Sequence, residues 1–381
     1  MPSQAQHAML PKATHDEHSR QEYAKSMRAY VTGTLTPGNR VIYDGRVLPA
    51  YMRSHNHPPE TRKEVREGML AEPYHQVWSA MMRTTQEMMW DSIGDSIERQ
   101  LGDLVETAKP NGRTKGSLTL DPKLKMPPYL TAVDIHCMPG NYTADLCEDD
   151  VFAGALYDRG VSIYMMGGMG PYNAGTGETL IAHLKKEYPG FRPARILDMG
   201  CAVGHSTLPY VDAYPDAEVH AIDVGAAMVR YAHGRAESLG KAVHFSQQNA
   251  EHTNFPDGHF DLIVSHIFLH ETSNRAVRNM MGESRRLLAP GGLALHLEVP
   301  PFYDKDPFDQ YLTDWDTHFN AEPFVGTLHD LSREELMGEA GFASTEIIVE
   351  DIPMQVYVTG GGGNYSHHVG PNLCVFGGRK G

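Results

Sequence analysis

The sequence predicts an α/β protein built on a doubly wound parallel sheet, and three observations carry that prediction. A short apolar run, Arg195 to Met199, breaks directly into a glycine-rich turn followed by a helix-compatible stretch. Strands and helices then alternate regularly to about residue 299. FDLIVSHI, residues 260 to 267, is apolar at successive positions, as a strand covered on both faces should be. In RILDMGCAVGHSTLPY (195 to 210), small residues at 200, 202 and 204 let the backbone approach a ligand closely. The amides that open the next helix are free to meet an anionic group, and Pro209 falls in that helix's first turn, where its missing N–H is not needed. This turn is read as a cofactor cradle.

In chain order, residues 1 to 20 are polar and His-rich and are expected to form a loose arm. A short helix is expected over 21–32, then irregular structure over 33–60 with a hairpin near Asp44-Gly45. Thr61 to Ala108 reads as helix interrupted at Pro73, with Val77, Met81, Met88, Ile93, Ile97, Leu101 and Leu104 on one face. The Met-rich stretch 80–90 is expected to pack inside the chain or against a second copy; lining a substrate pocket is the alternative. Residues 109–130 read as a linker. Helices follow at 151–166 and 177–190, the second ended by Pro189 and Gly190. The regular part comprises strands 195–199, 218–223, 242–247, 260–267 and 293–299, with helices at 205–214, 226–239 and 274–288 between them. Residues 300–331 interrupt the alternation and are read as a lid or pocket wall at the carboxyl ends of the strands. Ser332 caps a helix with Glu335 at the box position. Strands at 344–352 and 372–378 close the chain, joined by a glycine run read as a mobile loop over the site. The domains expected are a mainly helical region, 1–150, and an α/β domain, 151–381, carrying the 300–331 insertion.

Composition narrows the function. The 381 residues are 41% apolar and 21% charged, with 33 basic against 48 acidic residues and a formal charge of −15. That balance argues against a nucleic-acid partner, whose phosphates need clustered Lys and Arg, and against anionic lipid. No stretch approaches a spanning helix, no signal peptide is visible, and the four scattered cysteines suit a reducing compartment. A cytoplasmic protein without membrane insertion is expected.

The motifs point further. DMGCAVG, then HAIDVGAAMVRYA, then QQNAEHTNFPDGHFDLIVSHIFLHE, then RRLLAPGGLALHLE, keep the order and spacing of four motifs of class I S-adenosylmethionine-dependent methyltransferases. Over roughly 175–381 the chain resembles that family, in particular its small-molecule branch with the ubiquinone/menaquinone-type and type 11-like enzymes. Ala202 stands where the family's first motif usually has its middle glycine. The resemblance implies a Rossmann-like seven-stranded sheet and S-adenosylmethionine as cofactor. It also implies contacts: Asp223 and Val224 at the ribose, Met228 on the adenine face, and Asn249 and Ala250 at the adenine edge. Gly200, Cys201, Ala202 and Gly204 would then meet the methionyl part, with Asp198 at its ammonium and His266 near the same tail. A dinucleotide enzyme would need Gly-x-Gly-x-x-Gly; here the third small residue comes one position early and His205 stands at the last position. No Gly-Lys-Ser/Thr follows, which excludes a P-loop.

Methyl transfer is an in-line displacement that chiefly requires alignment and desolvation. A hydroxyl acceptor also needs a base, and His270, Glu271 and Glu298 are the candidates, His270 first because its ordinary pKa lies near neutrality. A structural or substrate-contacting role for His270 is the alternative. No metal site is expected: His55 with His57, His266 with His270, and His367 with His368 come without the carboxylates that magnesium takes. The function expected is methylation, preferentially on oxygen, of a small apolar or aromatic acceptor, with a homodimer through the N-terminal helices. The alternatives are a same-fold enzyme that uses the cofactor without methyl transfer, and a non-catalytic binding protein.

Overall fold

The computed structural model describes residues 4–110, 112–303, 305–359 and 365–381, with the backbone alone at 358–359 and 365–371. The expected glycine-run loop at 360–364 and the side chains of His367 and His368 lie outside the described residues.

Among the described residues eight strands form one sheet: β1 Ser117–Thr119, β2 Arg195–Met199, β3 Glu218–Asp223, β4 His244–Gln247, β5 Phe260–His266, β6 Leu288–Glu298, β7 Ile347–Thr359 and β8 Tyr365–Arg379. Their order is β1-β4-β3-β2-β5-β6-β8-β7, with the last two strands antiparallel. The expected seven are all present. The eighth, β1, comes from the segment read as a linker and pairs with β4, Leu118 opposite Phe245. The strand order reverses between β2 and β5, which opens a crevice at their carboxyl ends. Both sheet faces are covered: Ile196, Val264 and Leu295 lie in one apolar cluster, Leu197, Ile263 and Ala294 in another. The start of β2 is pinned by Asp261, whose Oδ2 accepts the N–H groups of Ala194 and Arg195 at 2.8 Å.

The N-terminal region departs most from expectation. The arm is not loose: Met9 and Leu10 are buried, and the side chains of Gln4 and His7 reach Asp158 at 2.7 and 3.0 Å. A helix runs over His15–Tyr30, opened by a capping box between Thr14 and Glu17. Residues 33–55, within the stretch read as irregular with a hairpin, are almost wholly helical, in short α and π turns. Burial of Val31, Tyr43 and Val47 against neighbouring elements outweighs the poor helix propensity of the Gly and Pro residues there. Helices Arg62–Met69, Pro73–Glu98 and Leu101–Ala108 fall as expected. The apolar stripe is rotated, though: Val77 is exposed, while Trp78, Met82, Met89, Ile93 and Ile97 are buried. Met89 packs within the chain, so this face is occupied by the protein itself.

The insertion forms helices Pro307–Thr313, Trp315–Phe319 and Val325–His329 and is fastened to the N-terminal region. Trp315 Nε1 donates to Ser79 Oγ at 2.7 Å, and Arg62 pairs with Asp314 and Asp330. Burial lowers the pKa of His75 to about 4, so its ring is neutral. It therefore accepts from the Tyr311 hydroxyl at 2.6 Å while its other nitrogen donates to Asn39. Among the described residues no helix is long and apolar enough to cross a membrane.

Candidate active site

The turn after β2 is built by backbone geometry. Gly200 takes φ +74°, and a Cβ there would lie 2.4 Å from the Phe268 ring. The N–H groups of Gly200 and Cys201 both donate to the Ile222 carbonyl, and that of Ala202 to Asp223 Oδ2 at 3.0 Å. These amides are thus engaged by β3 and are not free for an anion, and the helix begins only at Leu208. Ala202 holds φ +44°, a left-handed conformation that disfavours any residue with a Cβ. Ala202→Gly is expected to stabilise the fold by about 0.5–1 kcal/mol, read in a denaturant melt.

A narrow cleft lies on this turn. Gly200, Ala202, Asp223, Val224, Asn249, Ala250 and His266 line it, together with Tyr129, Tyr142, Tyr157 and Phe268. Burial raises the Asp223 carboxyl pKa, and N–H groups of Gly225 and Ala202 pull it back. Those two bonds leave further lone pairs on its oxygens. The Asn249 carbonyl accepts from the Glu251 N–H at 2.9 Å. Asp198 sits behind the turn; its Oδ2 accepts from Thr207, while its Oδ1 and His266 Nδ1, 3.4 Å apart, are buried without a hydrogen-bond partner.

Four expected cofactor residues do not line the cleft: Asp198, behind the turn, and Met228, Cys201 and Gly204. Met228 is fully buried in an apolar cluster with Trp90 and Tyr231 and does not line the cleft. Cys201 turns into the core behind the sheet. Gly204 faces Phe245. In each case alternation along a tight turn or helix sends the residue to the packed side. The tyrosines 129, 142 and 157 were missed, because they come from the segment before β2, where no motif marks them.

A second cavity of ≈ 400 Å³ adjoins the cleft. Trp90, Val161, Tyr164, Met165, Met169, Val299, Val325, Met354 and Leu373 give it apolar walls, and His136, His270, Glu271, Asp316 and Glu322 form its polar end. The two spaces share Tyr157, His266, Ile267 and Glu271. Of the Met-rich helix, Gln86 and Trp90 reach this chamber.

The polar end corrects two expectations. Glu298 is fully buried. Its Oε1 accepts from His270 Nδ1 at 2.7 Å and from the Val299 N–H, and its Oε2 accepts from the Leu269 and His270 N–H groups. With its lone pairs spent, it positions His270 and does not address a substrate. His270 is not poised as a near-neutral base: burial opposes its charged form, yet Glu298 and Glu271 raise its pKa well above the ordinary value. Likewise burial opposes charge on His136, but Glu322 and Glu271 keep its pKa high. Burial and neighbouring Glu322 push Asp316 up to about 7. His136 and Glu322, each 2.8 Å or less from a partner in this cluster, carry no sequence signal, since they join it from 134 residues before and 52 after His270.

Residues 196–292 match the family model described as a methyltransferase domain. A demethylmenaquinone methyltransferase of Thermus thermophilus is 35% identical over 109 residues, 29% of this chain and 49% of that one. A malonyl-[acyl-carrier protein] O-methyltransferase of Geobacter sulfurreducens is 31% identical over 172 residues, 42% of this chain and 60% of that one. The chain thus spans half to three fifths of the length of these curated relatives. Among solved structures, a phosphoethanolamine N-methyltransferase of Haemonchus contortus in complex with S-adenosyl-L-methionine is 21% identical, covering 51% of this chain and 43% of that one, with a TM-score of 0.39. The strand order and the glycine turn are those of a Rossmann-like sheet, and residues 196–292 within it match a methyltransferase domain. A ubiquinone/menaquinone biosynthesis C-methyltransferase of Ectopseudomonas mendocina is similar as well, 34% identical over 118 residues, 30% of this chain and 40% of that one.

The residues present fit S-adenosylmethionine. Asp223 lines the cleft and retains lone pairs for hydroxyl groups, and the buried Asp198 Oδ1 lacks the donor that an ammonium would supply.

Proposed function

We propose that the protein transfers a methyl group from S-adenosylmethionine to a small, apolar or aromatic acceptor, preferentially to oxygen. The observation that supports this best is the junction of the narrow cleft with the apolar chamber at Tyr157, His266, Ile267 and Glu271. When bound, the cofactor would supply an electrophilic methyl group on a sulfonium, with S-adenosylhomocysteine as the leaving group. Asp223 and Val224 hold the ribose, Asn249 and Ala250 the adenine edge, and Asp198 with His266 the methionyl ammonium. The walls formed by Trp90, Met165, Met169 and Leu373 exclude water and seat an apolar body. Glu271 Oε2, buried and without a hydrogen-bond partner, accepts the hydrogen bond of an acceptor hydroxyl, and Glu298 holds His270 beside it. The chain's contribution is alignment and desolvation.

The test is a turnover screen of phenols, hydroquinones and other small acceptors, read by mass spectrometry for S-adenosylhomocysteine and the product. One methyl gained per S-adenosylhomocysteine released, located on oxygen by fragmentation, is expected. A methyl on carbon would overturn the preference for oxygen. Acceptor chemistry without cofactor consumption would overturn transfer itself.

A further inference from the structure

Four side chains from three separate segments converge at the polar end of the chamber. His136 comes from a turn before the domain, His270 and Glu271 from the turn after β5, and Glu322 from the insertion. One possible ligand atom from each lies within 4.8 Å of all the others, the spread of donors around one ion bound at about 2.0–2.4 Å. His136 Nε2 and His270 Nε2 stand 2.8 and 3.5 Å from Glu271 Oε1, and His270 Nε2 is 4.0 Å from Glu322 Oε2.

Two independent features point to a ligand between them. Glu271 is 7% exposed, yet its Oε2 has no hydrogen-bond partner. An unsatisfied buried carboxylate oxygen is costly unless a cation or donor completes it. The second feature is the orientation of His270. Its Nδ1 is tied to Glu298 at 2.7 Å, and Glu298 is itself fixed by the backbone N–H groups of Leu269 and Val299. That leaves Nε2 as the nitrogen facing the cluster, in the carboxylate–histidine arrangement that holds a metal-ligating ring in one tautomer.

We propose that His136, His270, Glu271 and Glu322 bind a divalent first-row transition-metal ion, with a coordination position open to the chamber. Two imidazoles with two carboxylates suit the manganese-to-zinc series, whereas magnesium and calcium take oxygen ligands. Without the ion, the same groups pair with one another, as His136 does with both glutamates. Metal binding replaces those pairings and releases protons. With the ion bound, the open position takes the acceptor oxygen in place of its direct bond to Glu271 Oε2; that role rests on the methyl-transfer reading above, and the metal site does not.

The experiment uses tag-free, full-length protein. Its metal content is measured by inductively coupled plasma mass spectrometry, and chelator-stripped protein is titrated with zinc or manganese by calorimetry. About one ion per chain is expected. Glu322→Gln and His136→Ala should weaken the affinity by roughly 100-fold or more, while His55→Ala, on an exposed surface, leaves it unchanged. Circular dichroism melts identify any variant that fails to fold, and the stripped wild-type titration then decides alone. No uptake by the stripped wild-type protein, or equal uptake by Glu322→Gln, would overturn the site. Metal bound without S-adenosylhomocysteine binding would instead refute methyl transfer and leave the site standing.

Discussion

Asp158→Ala is expected to destabilise the protein by about 3–5 kcal/mol, the largest effect of any single substitution considered. Asp158 is fully buried, and its two oxygens gather five side chains. Oδ1 accepts from Gln4 and His205 at 2.7 Å, and Oδ2 accepts from Tyr231 at 2.8 Å. His7 and Arg235 lie 3.0 and 3.5 Å from Oδ2. Burial alone would raise this carboxyl, but His205 and Arg235 hold its pKa well below the ordinary value. Removing it leaves the buried Arg235 guanidinium without its carboxylate and removes the contacts of Gln4 and His7, in the N-terminal arm, with that side chain. Because the folded-state pKa is depressed, the stabilisation is fully present above the ordinary aspartate pKa of 3.8 and is lost as pH falls below it. Chemical denaturation at pH 7 measures the difference. An effect under about 1 kcal/mol would show that the network is not the anchor described here.

The second large effect is on the cofactor. Asp223→Ala is expected to weaken S-adenosylhomocysteine binding by roughly 10- to 100-fold, the worth of a charge-assisted hydrogen-bond pair. The carboxylate already receives the Ala202 and Gly225 N–H groups, so it is held in place before any ligand arrives. Because those bonds also brace the turn, Asp223→Asn is the control. It keeps one acceptor oxygen in the same shape and should fall between alanine and wild type.

What was legible in the chain follows from the range of the forces involved. Strands β2 to β6 and their helices are set by local periodicity and by glycine turns, so their places could be read from residues a few positions apart. The same holds for Asp198, Gly200 and Asp223, which ride on strand ends. The short β1 was unreadable, since three residues acquire a strand only by pairing with β4. So was the helical 33–55 stretch, whose Gly and Pro residues signal turns that tertiary burial overrides. Met228 illustrates the limit of carrying a role by motif position: one helical turn decides between cleft and core, and it went to the core. The polar end of the chamber was half visible. His270 and Glu271 are adjacent to β5, but their partners His136 and Glu322 arrive through long-range packing of the N-terminal region and the insertion. The expectation that histidine pairs lacked nearby carboxylates was made on sequence neighbours, and in three dimensions the neighbours of His270 are Glu271, Glu298 and Glu322.

The central claim is that the turn at Gly200, with Asp223 and Asp198, is a cradle for S-adenosylmethionine. Titration calorimetry of the wild-type protein with S-adenosylhomocysteine tests it most directly. One site per chain is expected, with affinity lost in Asp223→Ala and partly retained in Asp223→Asn. A flat titration of folded wild-type protein, or identical binding by all three proteins, would contradict it.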